Sequence, residues 1–287
     1  MTDVIVRPHG PLVKGSDRRA SIAVEPGGSA ANQAAWLASF GVAVDFVARV
    51  GSSDINAEAA RLSRAGVTPH LLGDPERPTG KLVALIDPNG ERSFFTDRGA
   101  NDTLCPADIP AELIAGAELI HLSGYSFFAP SPRAAVLDVM RRAGATPVSV
   151  DPASAEFLRE VGPQEFLEWT KGAAILFPNE DEAAVLTGSD DPETQCARLG
   201  ALFPLVVVKR GASGCQAAAG AQRWRIAAPK VEAVDTTGAG DAFVAAFLAA
   251  RLRGAEIEEA LERAVTAGAE AATRVGGRPT GETVRPG

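Results

Sequence analysis

Asp235-Thr236-Thr237-Gly238-Ala239-Gly240-Asp241, followed at once by the apolar run Ala242 to Ala250, is the stretch on which the reading of this chain turns. Two carboxylates six positions apart bracket a turn of threonines and glycines that enters a buried helix. Gly238, Ala239 and Gly240 can aim consecutive backbone N–H groups at an anion, because little or no side chain blocks its approach. The helix dipole adds partial positive charge there. Asp241, in the first turn, would stand beside such an anion as an acceptor for a hydroxyl proton. The same residues also fit a plain tight turn, with Asp241 only complementing the dipole.

A second glycine segment, Pro26-Gly27-Gly28-Ser29-Ala30-Ala31-Asn32-Gln33-Ala34, lies far upstream. Gly27 and Gly28 permit close approach of a ligand. Asn32, about one helical turn later, carries an amide able both to donate to and to accept from a hydroxyl. Together the two segments resemble the signature motifs of the ribokinase-like (PfkB-type) carbohydrate kinase family, in order and in separation. Asn179-Glu180-Asp181-Glu182 resembles that family's Asn-x-x-Glu element, and Lys209-Arg210-Gly211-Ala212-Ser213-Gly214 resembles its strand-to-turn segment beside the nucleotide. Gly99-Ala100-Asn101 and Thr273 to Thr280 resemble ribokinase in particular.

The resemblance implies ATP-dependent phosphorylation of a hydroxyl of a small sugar or sugar-like compound. Asp241 would be the base, and the amides of Gly238, Ala239 and Gly240 the anion hole. Asp3, Gly27, Gly28, Asn32 and Asn101 would hold the substrate, while Asn179, Glu182, Lys209, Gly211, Gly214, Thr237, Gly238 and Gly240 would face ATP. Mg2+ would travel on the nucleotide with Glu182 acting on it indirectly, and carbonyls near Asp235 and Gly276 would hold a monovalent cation, K+. Three alternatives stay open. One is a nucleoside kinase of adenosine or pseudouridine type, with aromatics of Tyr125-Ser126-Phe127-Phe128 stacking a base. Another is a phosphosugar kinase, with Lys81, Arg92 and Arg98 meeting a substrate phosphate. The last is a catalytically silent sugar- or nucleotide-binding sensor.

The chain departs from the family pattern in several places. Met1-Thr2 stands directly before Asp3, where the family has an apolar strand and a Gly. The expectation is a central sheet lacking an inner strand, either because the chain begins short of its natural start or because another segment takes that slot. Each buried backbone group left unpaired there would cost about 1 to 3 kcal/mol. Ser29 replaces a ribokinase Lys, and Leu122-Ser123-Gly124-Tyr125 lacks a nearby Glu. Lys209 replaces a Thr, and Asp151-Pro152-Ala153-Ser154 lacks an Arg found in many ketodeoxygluconate and fructose kinases. The sugar is therefore not assigned.

With 46% apolar and 22% charged residues among 287, the composition is that of an ordinary soluble globular protein. A net charge of −8 argues against an extended nucleic-acid surface, and pairs such as Arg18-Arg19 and Arg141-Arg142 read as solvated faces. Three cysteines, Cys105, Cys196 and Cys215, have neither disulfide nor zinc spacing, consistent with a reducing cytoplasm. The apolar run from Ala242 stops at Arg251, short of the roughly 20 residues of a membrane span. No targeting segment is visible. His9, His70 and His121 are scattered and read as structural or incidental.

Strand-like segments at 44–50, 118–122, 147–150, 173–177 and 205–208 alternate with helix-like ones at 30–39, 55–64, 133–143 and 194–202. That alternation predicts a mostly parallel sheet with helices on both faces. Its class is a three-layer αβα ribokinase-like (Rossmann-like) fold, in one domain spanning residues 1–287. Strands at 79–86 and 91–97 flank Asp87-Pro88-Asn89-Gly90, a hairpin signal, and strands at 4–6 and 21–24 flank a Pro- and Gly-containing loop. These predict a small β lid over roughly 4–24 and 79–98. By resemblance the lid closes over the sugar and forms a homodimer contact.

Overall fold

The computed structural model describes residues 1–87 and 92–279. In chain order the elements are β1 (Thr2–Pro8), β2 (Ala20–Pro26), α1 (Ser29–Ser39), β3 (Asp45–Gly51), α2 (Ile55–Arg64), β4 (Thr68–Asp74), β5 (Thr79–Ile86) and β6 (Arg92–Gly99). Then come α3 (Ala111–Gly116), β7 (Ile120–Ser123), α4 (Pro130–Arg142), β8 (Val148–Asp151), α5 (Ala155–Val161), α6 (Pro163–Trp169), β9 (Ile175–Leu176), α7 (Glu180–Thr187) and α8 (Pro192–Gly200). The chain closes with β10 (Leu205–Lys209), β11 (Cys215–Ala219), β12 (Gln222–Ile226), α9 (Ala239–Leu252) and α10 (Ile257–Ala272).

The central sheet runs β12-β11-β10-β9-β8-β7, parallel from β7 to β10 and antiparallel through β11 and β12. β10 explains why it must be inner: Val206, Val207 and Val208 are all fully buried, so both faces are covered. Val207 belongs to the core with α1, α9 and α10. Val206 and Val208 belong to the opposite core, with α4 to α8. This is the three-layer arrangement that the alternation predicted.

Helix α9 is the spine of the first core. Nine consecutive residues, Ala242 to Ala250, are buried, which an apolar sequence on every face requires. Phe247 packs edge-on against Phe177 below β10, with ring centroids 5.3 Å apart. α10 buries Ala260, Leu261, Ala264, Val265, Ala267 and Ala271 and turns its charged residues outward.

The lid is one four-stranded sheet, β2-β1-β5-β6, uniting the two expected hairpin regions by parallel pairing of β1 with β5. Pro88, Asn89 and Gly90 of the turn signal and Glu91, expected to open the next strand, lie outside the described residues, as does the side chain of Arg92. Strand alternation gives the lid two faces. Ile5 and Ala84 are buried on the inner one; Val24, Val4, Val83 and Phe95 lie in register on the outer one, with Val24 and Phe95 exposed.

Among the described residues β3 pairs only with β4, and β7 only with β8, so β3-β4 form a separate two-stranded sheet. A cavity lined by Phe46 to Val50 of β3 and by Ser123 at the end of β7 lies along that division. No described segment adds a strand to either edge, so the expectation that another stretch takes the inner slot is not met.

Several boundaries shift for local reasons. The helix expected at 133–143 begins at Pro130, and that expected at 194–202 begins at Pro192, because proline is tolerated in a first helical turn. Asp191 caps the latter by accepting from Thr194 N–H at 2.8 Å. Phe247→Ala should destabilise the protein by about 3–5 kcal/mol, read as a lower urea midpoint with an unchanged slope.

Candidate active site

Gly238 precedes α9 in the left-handed region at φ 76°, and a β-carbon there would lie 2.5 Å from Gly277, so only glycine fits. The turn is held by the buried Asp235 carboxylate, which accepts from Thr237 N–H at 2.9 Å and from Gly276 N–H at 3.2 Å. The two segments expected near a monovalent cation therefore meet. Ala239 N–H donates to Thr236 carbonyl at 3.3 Å. The N–H groups of Gly238 and Gly240 have no acceptor among the described residues. Two of the three expected anion-hole donors are thus free, and the third is used within the turn.

Asp241 lies in the first turn of α9, on the wall of a cavity of about 170 Å³ beneath the lid. Its Oδ1 accepts from Ser29 Oγ at 2.7 Å and its Oδ2 from Asn32 Nδ2 at 3.1 Å, both on α1. Asn32 Oδ1 accepts in turn from Arg278 Nε at 3.1 Å, and Arg278 Nη2 donates to Gly27 carbonyl at 3.2 Å. Burial pushes the Asp241 acid up to about 6, against the pull of the Ser29 hydrogen bond. A carboxyl tuned this way suits proton transfer near neutral pH.

Across the cavity stands Asp3, whose Oδ1 is buried without a partner. A buried acceptor left open calls for a donor, and a substrate hydroxyl is one. Burial also raises the Asp3 acid above its ordinary value. Gly27 must lack a side chain, since a β-carbon would lie 1.9 Å from Asp3 Oδ1, and Gly28 adopts φ 91°. Asn101 instead faces an adjoining cavity that shares Gly28, Ser29, Arg98 and Tyr125 with the first; its Nδ2 donates to Arg98 carbonyl at 3.0 Å.

Near the start of α9, Lys209 Nζ donates to Asp151 Oδ2 at 2.8 Å. Asn179 and Glu182 form a reciprocal cap on α7. Asn179 Oδ1 accepts from Glu182 N–H, and Glu182 accepts from Asn179 N–H, both at 2.8 Å. Glu182 Oε1 also takes Asn179 Nδ2 at 2.9 Å, and burial pushes its acid up. Both oxygens already have donors, so contact with a cation through water suits Glu182 better than direct ligation. Gly211, at φ 50°, and Gly214, at φ 88°, shape the turn from β10 to β11 and line neither cavity. Among the described residues no three His, Cys, Asp or Glu side chains converge on a metal position.

Of the aromatics offered for base stacking, Phe127 packs on Phe166 and Phe128 on Phe157, while Tyr125 carries the Arg98 guanidinium 5.5 Å above its ring. Of the three cations offered to a substrate phosphate, Arg98 borders both cavities and Lys81 is exposed. Sequence reasoning missed the roles of Ser29, Gln33, His121, Asp151 and Arg278. Their main partners lie dozens to hundreds of positions away; Ser29 beside Gly27-Gly28, Asp151 after a strand and Arg278 within Thr273 to Thr280 had local signals, and Gln33 and His121 had none.

The sequence model of the pfkB family carbohydrate kinases matches residues 1–283. The chain is 34% identical over 264 residues to an ATP-dependent ribose-1-phosphate kinase of Halopiger xanaduensis, covering 90% of this chain and 84% of that one. The adenosine kinase structure from Sinorhizobium meliloti superposes with a TM-score of 0.86 at 26% identity, over 97% of this chain and 93% of the other. An Arabidopsis thaliana ribokinase complexed with ribose and ATP gives 0.79 at 27% identity, over 96% and 90%.

Ser29→Ala removes a hydrogen bond that favours the ionised acid. The Asp241 value should therefore climb above about 6, read from its carboxyl carbon by NMR titration. An unchanged titration would show that Ser29 does not tune this group.

Proposed function

The chain belongs to the pfkB family of carbohydrate kinases, and from that premise we propose that it transfers the terminal phosphoryl group of ATP to a hydroxyl of a small sugar lodged between Asp3 and Asp241. The observation that carries the reading is Asp241 itself, a half-buried acid on the cavity wall one residue after the free N–H of Gly240. Asp3 and Asn32 orient the sugar. Asp241 accepts the proton of the attacking hydroxyl, and the N–H groups of Gly238 and Gly240 stabilise the charge of the phosphoryl group.

The free amides at the start of α9 and the Lys209 ammonium fit a polyphosphate. Mg2+ on that polyphosphate would supply charge neutralisation, and Glu182 would act on it indirectly. K+ held by carbonyls of the loops that Asp235 ties together belongs to the same reading; replacing K+ with Na+ should then lower turnover. The three cysteines are free, which suits a cytoplasmic protein, and no described helix is long and apolar enough to cross a membrane. The exposed outer row of the lid, Val24 and Phe95 included, supports a homodimer, to be read by light scattering.

A second reading of the substrate is favoured by Arg278. This guanidinium borders the adjoining cavity, and among the described residues no carboxylate lies within 4.0 Å of it. A sugar that already carries a phosphate would supply the missing anion, as the substrate named for the Halopiger relative does.

Asp241→Asn should cut turnover at least about 100-fold while leaving ATP affinity within about threefold. Coupled ADP detection across ribose, fructose, ketodeoxygluconate, adenosine, pseudouridine and ribose 1-phosphate checks both points. Undiminished turnover in the variant would remove Asp241 from the mechanism, and equal rates with ribose and ribose 1-phosphate would dismiss the Arg278 anion site.

A further inference from the structure

Lys209, the last residue of β10, has a side chain only 13% exposed, and Asp151 is the sole acceptor its ammonium finds among the described residues. An ammonium has three N–H donors, so two remain open. Nζ lies 3.9 Å from the point where a β-carbon on Gly240 would stand, beside the turn with the free amides. Burial alone would lower the Lys209 pKa, but the carboxylates of Asp151 and then Glu182 outweigh it and hold the group charged.

Asp151 is itself tightly fixed. Its Oδ2 accepts from Gln33 Nε2 at 3.1 Å as well as from Lys209, and its Oδ1 accepts from Ala153 N–H at 3.2 Å. Gln33 Oε1 then has to accept, so His121 Nε2 carries the proton at 2.8 Å, and His121 Nδ1 accepts from Ser149 Oγ at 2.8 Å. Burial holds His121 neutral, its value pushed down to about 4. The bonds of this chain thus run from Ser149 through His121 and Gln33 to Asp151. A buried ion pair is seldom worth its desolvation as stability alone, and this one leaves donors unspent at the phosphate turn.

Resting on the phosphoryl-transfer reading above, we propose that the Lys209 ammonium touches the phosphoryl group in flight as a built-in cation, and that Asp151, Gln33 and His121 are positioning residues that aim it. Consecutive residues of α1 then set both halves of the reaction. Asn32 holds the base Asp241, and Gln33 holds the tether of the cation. In the step, the hydroxyl proton passes to Asp241 and the hydroxyl oxygen bonds to the γ-phosphorus. The bond from that phosphorus to the β,γ-bridging oxygen breaks, its electron pair leaving with ADP. Lys209 exchanges no proton; it supplies charge where negative charge is concentrated.

Lys209→Met and Gln33→Met are compared with wild type in turnover, in calorimetric binding of MgADP, and in binding of MgADP with aluminium fluoride plus the fastest sugar of the panel. For Lys209→Met, kcat and affinity for the fluoride complex should fall together by about 10² to 10³ while MgADP affinity stays within about threefold. Gln33→Met, which keeps the ammonium, should lose about tenfold in kcat with sugar KM unchanged, and it carries the test if Lys209→Met does not fold. A folded Lys209→Met with wild-type kcat, equal losses of MgADP and fluoride-complex affinity, or a Gln33→Met variant of wild-type kcat would overturn the proposal. Asp241→Asn is run alongside. If wild type turns over and Asp241→Asn does not, the transfer reading stands whatever Lys209 shows; if wild type transfers no phosphate to any sugar, both fall.

Discussion

The structure depends on one half-buried contact: the Asp241 carboxylate at the start of α9, gripped by Ser29 and Asn32 of α1 across more than two hundred residues of chain. Burying a carboxylate is unfavourable unless its oxygens are bonded, and two donors do not fully offset the loss of water. The folded value of about 6 lies above the usual 3.8. The sign follows: between those values the unfolded chain has released its proton and the folded chain has not. Stability contributed by this group therefore falls as pH rises through that window and is lost above about 6. Stability is given up where a proton acceptor is wanted, a pattern common at functional sites.

The rest of the fold holds that contact in place. α9 can lie buried along nine consecutive residues because β10 supplies the apolar run Leu205 to Val208 below it and α10 covers it. The same burial fixes where α9 begins, and so where the N–H groups of Gly238 and Gly240 point. The lid then brings Asp3 and the inner faces of β1 and β5 over the opening. An apolar roof raises the strength of every charge interaction beneath it.

Much of this was legible in the sequence where the signal is local. The glycine turn before Ala242 to Ala250 announced a buried helix with an acid in its first turn, and strand-like runs flanking turn signals, at 79–86 and 91–97 and at 4–6 and 21–24, announced the lid. Long-range pairing was not legible. That β1 would join β5 in parallel depends on partners dozens of residues away, whereas the gap between β3 and β7 was announced by the missing inner strand before Asp3. Polar networks are hidden for the same reason. His121 carries no motif, and its meaning appears only when Gln33 and Ser149 close around it. Even within the glycine turn, the sequence could not tell that Ala239 N–H would be spent on Thr236 while its neighbours stayed free.

The most direct test of Asp241 as the proton acceptor is the dependence of kcat/KM on pH for the fastest sugar. The account predicts an acid limb with its midpoint near the value of about 6 that burial gives Asp241, and no such limb in the residual activity of Asp241→Asn. A wild-type profile flat from about pH 5 to 8, or an identical limb in the variant, would contradict it.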